Sequence, residues 1–224
     1  MNAENSTVSA AERRRVSYHE AGHAIVSMVL GEGNQDRVEL NPPDRPDLIG
    51  VHHRVGVFMN PNLDLHGMLD ALTGSMVSAA GWATEAVLAK KDGVPSRYWY
   101  DDGGMAWEVF WDSGGFEEGQ DDQWRTKSAL AHIAAVLGRP DITVAMEREW
   151  EGSVEAMIER PEIWSAIDTL AADLNRDGRV EDLERYWRKP LLLLPFTLAR
   201  RWVSRFARHS TSAGEARKQL EQWP

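Results

Sequence analysis

Apolar residues recur at helical spacing through most of this chain, which predicts a mainly helical fold. The pattern predicts helices over residues 10–30, 65–90, 123–137, 141–159 and 162–174. Two short extended runs, 36–40 and 48–58, are separated by a proline-containing loop and predict a small sheet after the first helix. The fold class is therefore mainly α (α+β), with a helical domain and a small β-sheet.

The remaining segments lack helical periodicity and set the organisation of the chain. Residues 112–123 are acidic and glycine-rich, which is typical of a loop or an insertion. We expect residues 1–8 to be a flexible N-terminus, 9–187 to be one helical domain and 188–224 to be a basic, amphipathic C-terminal tail.

The first predicted helix carries the stretch His19-Glu20-Ala21-Gly22-His23. Side chains four residues apart lie on the same face of a helix, so His19 and His23 can bind one metal ion with Glu20 beside them. This HExxH pattern is typical of zinc hydrolases, in which a zinc-bound water has its pKa lowered to about 7. Glu20 is then the candidate general base, and Gly22 would allow another backbone to approach the helix.

The wider stretch Arg-Arg-Val-Ser-Tyr-His-Glu-Ala-Gly-His-Ala-Ile-Val, residues 14–26, resembles the zinc-binding helix of the peptidase domain of FtsH-type, membrane-bound AAA proteases. The resemblance extends to residues 79–85, Ala-Ala-Gly-Trp-Ala-Thr-Glu, which are similar to the family's "LGGRAAEE" helix with Trp82 in place of arginine. It implies a helical zinc-metallopeptidase domain in which Glu85 packs near the metal, beside a ligand.

A catalytic zinc site needs a third protein ligand, because two imidazoles alone hold the ion weakly. In the resembled family an aspartate at the start of a helix supplies it, and spacing from Ala106 places Asp102 at that position. Asp101 and Glu85 are alternative ligands, and Asp102 could instead cap a helix. His52 and His53, on the second extended run, point to opposite faces and are weaker candidates.

The resemblance implies a zinc-dependent metalloendopeptidase with one Zn²⁺ per chain, in which Glu20 acts as base and then as acid. No GxxxxGK[ST] phosphate loop occurs in the sequence, so we expect an ATP-independent enzyme that cuts peptides or flexible segments of unfolded proteins, or one that a separate ATPase supplies. Two alternatives are a zinc hydrolase for a nonpeptide amide and a noncatalytic interaction or calcium-binding module with the same fold.

A second metal motif lies near the end of the predicted domain. Asp173, Asn175, Asp177 and Glu184 fit the calcium-loop pattern D-x-[DN]-x-[DN]-G-x5-E, with Gly178 at its glycine position. The absence of a second such loop in the sequence and the arginine that follows Glu184 weaken this interpretation. Ca²⁺ binding is therefore the secondary cofactor hypothesis.

Charge and composition limit the classes of partner that the protein is expected to bind. The net charge of −10 argues against nucleic-acid binding, although nine Lys/Arg face only two Asp/Glu from Arg185 onward. The basic tail could lie on an anionic membrane surface or pack on the domain, and its short apolar run cannot span a bilayer. Without cysteines there are no thiolate ligands, and without an N-terminal apolar segment we expect a cytoplasmic protein, peripheral membrane attachment being the alternative.

Overall fold

The computed structural model describes residues 9–31, 35–43, 50–54, 62–93, 122–139, 143–188 and 193–206. Within these ranges the chain forms six α-helices, a short 3-10 turn and three antiparallel strands, so the predicted mainly helical class with a small sheet is confirmed. The helices are α1 Ala10–Val29, α2 Leu65–Lys91, α3 Asp122–Val136, α4 Thr143–Ile158, α5 Pro161–Asp177 and α6 Leu193–Phe206. The strands are β1 Gln35–Leu40, β2 Gly50–Arg54 and β3 Arg179–Val180.

Helix α2 is the centre of the fold. It packs against α1, α3, α4 and α6, and its buried residues lie on several faces, as expected of a helix surrounded by others. Asp64 caps its N-terminus by accepting a hydrogen bond from the Gly67 amide at 2.9 Å. Leu65, Met68 and Leu72 are fully buried and anchor the first turns in the core. Helix α2 is therefore held on several sides, and it can fix the positions of side chains that contact it from the neighbouring helices.

Helices α1 and α2 approach each other closely at Gly22. A Cβ atom built on Gly22 would lie 2.2 Å from Thr84 Oγ1 and 2.8 Å from the Ala80 carbonyl oxygen. Any side chain at this position would force the two helices apart. The sequence predicts that another stretch of backbone approaches α1 at Gly22. In the structure this stretch belongs to α2.

The sheet has the order β2-β1-β3, with β1 in the middle. Val38 of β1 lies opposite His52 of β2 and opposite Val180 of β3, and both pairings are antiparallel. The two predicted strands are present, whereas β3 falls inside the segment interpreted as a calcium loop. Two residues are too few for an alternating pattern to reveal a strand. Helix α1 packs against β1 and β2, which places the sheet beside the HExxH residues.

Helix α6, within the predicted tail, packs on the domain. The apolar face of α6 is buried, and its exposed face carries Arg200 and Arg201. The buried residues are Leu198, Ala199, Trp202 and Val203. The apolar face that could have met a membrane or a partner therefore contributes to the core. Among the helices described, none combines the length and apolar character needed to cross a membrane.

Candidate metal centre

His19 and His23 converge as their spacing predicts. Both lie on α1, one turn apart, and their Nε2 atoms are 3.1 Å from each other. His23 is 7% exposed and His19 is partly buried, so the pair lies at the edge of the core and remains accessible from one side.

Helix α2 holds both imidazoles by their Nδ1 atoms. Glu85 Oε1 lies 2.6 Å from His19 Nδ1, and the Val77 carbonyl oxygen lies 2.7 Å from His23 Nδ1. Between these residues, Gly81 accommodates the His19 ring, since a Cβ there would lie 2.4 Å from His19 Nε2. A carbonyl oxygen and a carboxylate accept hydrogen bonds, so both Nδ1 atoms carry a proton, and each imidazole presents a lone pair at Nε2 when it is neutral.

Asp122 completes a group of three potential ligands. It is the first residue of α3, and its Oδ2 atom lies 3.1 Å from His23 Nε2. In the described part of the chain, His19, His23 and Asp122 are the His/Asp/Glu group that could hold a metal ion, with all ligand atoms within 4.8 Å of one another. Helix α3 packs along α2, and this packing brings a residue distant in sequence to the histidines.

The sequence reasoning missed Asp122, because it assigned residues 112–123 to a loop. The signal was present: Asp122 lies directly before the predicted helix over 123–137, and the resemblance implied a ligand aspartate at the start of a helix. Asp101 and Asp102 lie outside the described residues, and their ligation stays a prediction. Glu85, the other alternative ligand, contacts Nδ1 of His19 and is not a member of the His19–His23–Asp122 group.

The donor set fits a zinc ion. Ligand atoms about 2.0–2.1 Å from a tetrahedral ion lie roughly 3.3 Å apart, close to the two separations of 3.1 Å in this cluster. Two neutral imidazoles and one carboxylate are common zinc ligands, and three protein ligands leave one position for water. With no ion bound, the same atoms share a proton. Burial lowers the pKa of His23, but the Asp122 and Glu20 carboxylates outweigh this and raise it to about 9.

The charge of Asp122 depends on the neighbouring histidines and on Arg125. Burial raises the pKa of Asp122, but the larger combined effect of His23, His19 and Arg125 holds it below its usual value. Asp122 is therefore a carboxylate across the neutral pH range, as a metal ligand must be.

Glu20 lies against the first residue of β2. A Cβ on Gly50 would be 2.7 Å from Glu20 Cγ and 2.9 Å from Glu20 Oε1, so only glycine fits there without moving the glutamate. Glu20 is 8% exposed. Its burial raises its pKa, and the nearby histidines partly oppose that rise. A carboxylate with a raised pKa is a stronger base, which suits proton transfer to and from a water molecule.

Two further histidine candidates are separate from the cluster. His52 lies in β2 opposite Val38 and is not a member of the ligand group. The side chain of His53 lies outside what the structure describes. Trp82, which replaces the arginine of the resembled family, approaches His19 edge-on with ring centroids 6.0 Å apart.

The residues of the calcium motif do not form a loop. Asp173, Asn175 and Asp177 belong to α5, which remains helical through Asp177 and ends at Gly178 in the left-handed conformation. The carboxylate of Asp173 accepts hydrogen bonds from the Tyr186 hydroxyl at 2.6 Å, Arg176 at 2.7 Å and Arg185 at 3.1 Å. Glu184 lies in the 3-10 turn.

The geometry of this segment differs from that of a calcium loop. On a helix, positions two residues apart point in different directions, so Asn175 faces away from the other two ligands. The cations around Asp173 also occupy the carboxylate that a calcium ion would need. In the structure, the Asp173 carboxylate therefore pairs with Arg176 and Arg185, whereas the sequence motif predicts that it binds Ca²⁺.

Comparisons with known proteins leave the family open. No family model matches this chain. Neither the curated proteins nor the solved structures contain a match to it. The resemblance to the FtsH-type peptidase domain therefore depends on the motif residues themselves.

Proposed function

We propose that this protein is a zinc-dependent metalloendopeptidase of the HExxH type, with His19, His23 and Asp122 as ligands and Glu20 as the general base. The observation that carries the proposal is the convergence of three lone-pair donors. His19 Nε2, His23 Nε2 and Asp122 Oδ2 face one another, while both Nδ1 atoms are engaged by α2. Three atoms that each present a lone pair repel one another at this distance unless a cation lies between them. One divalent metal ion can bind all three at once.

The protein's own groups account for the proton transfers of amide hydrolysis. A bound zinc ion would supply a water of lowered pKa and polarise the substrate carbonyl. Glu20, adjacent to His19 and held against Gly50, takes the proton of that water and then donates it to the leaving amine. Its burial raises its pKa, which favours the first transfer and keeps the proton on Glu20 until the leaving amine, a stronger base, takes it.

The sheet supports a peptide as the substrate. In the described sheet β2 is an edge strand, and its first residue, Gly50, lies directly beside Glu20. An extended peptide added along such an edge makes main-chain hydrogen bonds without regard to its sequence. This would bring a backbone amide to the ligand cluster, which favours a peptidase over a hydrolase of small nonpeptide amides.

The test is zinc content and proteolysis measured on the same preparations. Wild-type protein is expected to bind about one zinc per chain by elemental mass spectrometry and to cleave casein. Glu20→Gln is expected to keep the zinc and to lose cleavage, because the amide side chain cannot accept the proton. Glu12→Gln, at the start of α1, is the matched control and should retain both properties.

Three results would contradict the proposal. Protein that takes up no zinc even after reloading would remove its basis. Zinc binding without cleavage of any protein or peptide would favour the nonpeptide amide hydrolase or the noncatalytic module. Undiminished cleavage by Glu20→Gln would exclude Glu20 as the base.

A further inference from the structure

The His19 imidazole is part of a four-residue arrangement that extends beyond the ligand cluster. Arg15 and His19 lie one turn apart on α1, and Gly81 and Glu85 lie one turn apart on the facing surface of α2. Arg15 Nη1 donates to both carboxylate oxygens of Glu85, at 3.1 and 3.3 Å. Glu85 Oε1 in turn accepts from His19 Nδ1 at 2.6 Å.

Burial makes this arrangement more than a surface ion pair. The Glu85 side chain is 1% exposed and that of Arg15 is 25% exposed, so the carboxylate lies within the core and the guanidinium extends toward solvent. A buried carboxylate needs a compensating charge to remain in place. Arg15 supplies a full positive charge from the same helix as the histidine.

We infer that Arg15 is a positioning residue which, through Glu85, holds His19 with its proton on Nδ1 and its Nε2 lone pair directed at His23 and Asp122. The inference deepens the proposed zinc site and rests on it for its biological use. The hydrogen bonds that hold this orientation join Arg15, Glu85 and His19 and do not include the metal. Removing Arg15 leaves the Glu85 carboxylate without the guanidinium, so it turns toward other donors and releases the imidazole.

A simpler role for Arg15 would be to tie α1 to α2. The chain offers a matched control for this, because the neighbouring Arg14 also pairs across the two helices, with Asp92 at 2.6 Å. Asp92 is the C-cap residue of α2, and the Arg14 pair does not include a ligand histidine. Arg14→Met and Arg15→Met therefore each remove an interhelical ion pair, but only the Arg15 pair includes the carboxylate that contacts His19.

The first measurement is made on metal-free protein, by long-range ¹H–¹⁵N NMR spectra that assign the histidine tautomers. Wild-type and Arg14→Met protein are expected to show His19 protonated on Nδ1, and Arg15→Met is expected to show a mixture with the Nε2–H form. Arg15→Lys should restore the wild-type tautomer, because it keeps a cation beside Glu85. An unchanged His19 spectrum in Arg15→Met would overturn the inference.

The second measurement is the zinc dissociation constant, obtained by competition with a chromophoric chelator. Loss of a group that supports a ligand typically weakens metal binding about 10–100-fold, and we expect about tenfold for Arg15→Met and less than about twofold for Arg14→Met. In a Glu85→Gln background, Arg15→Met should add less than about twofold, because Arg15 acts through the carboxylate. Equal losses in the two arginine variants, or additive losses with Glu85→Gln, would contradict the inference.

The two proposals can fail separately. Wild-type protein that binds no zinc contradicts the proposed function, while the tautomer measurement still decides the role of Arg15. Zinc binding that is indifferent to Arg15→Met leaves the proposed function intact and removes the positioning role.

Discussion

Two segments of this chain carry complete metal motifs, but the fold brings the motif residues together in only one of them. In α1, the HExxH residues bring two imidazoles together, and α3 adds the carboxylate of Asp122. In α5, three of the four residues that match a calcium loop lie in the helix, and the Asp173 carboxylate is surrounded by arginines and Tyr186.

The difference lies in the backbone that each motif requires. HExxH needs only a helix, because positions four apart already share a face. The calcium pattern needs an irregular loop, in which alternate residues turn inward around a central ion. The HExxH residues and residues 173–177 of the calcium motif are both helical, so the first motif has the backbone that it requires and the second does not.

The sharpest test of this contrast is Asp122→Ala. Removal of one of three ligands is expected to weaken zinc binding about 10²–10⁴-fold, because a binding free energy of about 10–16 kcal/mol shared equally among three ligands gives about 3–5 kcal/mol each. Zinc content and chelator competition would measure it. Asp102→Ala, made beside it, distinguishes the two assignments: loss of zinc in that variant with retention in Asp122→Ala would contradict the ligand set proposed above.

Gly81→Ala should have the next largest effect. The added Cβ would lie 2.4–2.6 Å from three atoms of the His19 ring, so the imidazole must move. We expect zinc binding to weaken about 10–100-fold and the free energy of unfolding to fall by about 1–3 kcal/mol. Gly74→Ala, where a Cβ meets nothing within 4 Å on the same helix, is the control and should raise stability by up to about 1 kcal/mol. Wild-type zinc affinity in Gly81→Ala would contradict the geometry.

The raised pKa of His23 predicts that the apparent affinity for zinc depends on pH. In metal-free protein the pKa of His23 is about 9, against an ordinary value of 6.5. Zinc must displace this proton, so the apparent affinity should rise about tenfold per pH unit from about pH 7 to 9. Chelator competition at several pH values measures the slope, and a flat profile would contradict the proton-sharing cluster.

The same shift predicts the stability of the metal-free protein. A raised pKa of a histidine means that protonation stabilises the fold. That contribution is complete below pH 6.5 and is lost as the pH rises through about 9. Urea titrations of metal-free protein should therefore show falling stability over this interval, while zinc-loaded protein should not. Rising stability over the interval in metal-free protein would exclude the His23–Asp122 ion pair.

The smallest effect is expected at the calcium motif. Millimolar Ca²⁺ should leave the melting temperature unchanged, whereas a functional site would raise it by mass action. Asp173→Asn should lower the free energy of unfolding by about 1 kcal/mol or less, because its arginine partners are largely exposed, and the loss should be equal with and without Ca²⁺. A calcium-dependent rise in melting temperature that Asp173→Asn abolishes would show that the helix end rearranges around the ion.

The helices were largely predictable because burial on one face leaves a regular pattern. Helix α1 was predicted over 10–30 and spans Ala10–Val29, and α2 was predicted over 65–90 and spans Leu65–Lys91. The last predicted helix of the domain was expected to end at residue 174, whereas α5 continues to Asp177. Strand β3 was missed, because two residues pairing with β1 leave no local signal.

The sequence by itself determined the part of the candidate site that is local: two histidines and a glutamate on one helix, whose relative positions follow from the helical repeat. The tertiary structure decided everything that depends on packing between helices. Glycines at 22 and 81 allow α1 and α2 to meet closely, Val77 and Glu85 then hold the Nδ1 atoms, and α3 brings Asp122. Long-range contacts of this kind carry no fixed spacing along the chain, so only the folded structure shows which aspartate reaches the histidines.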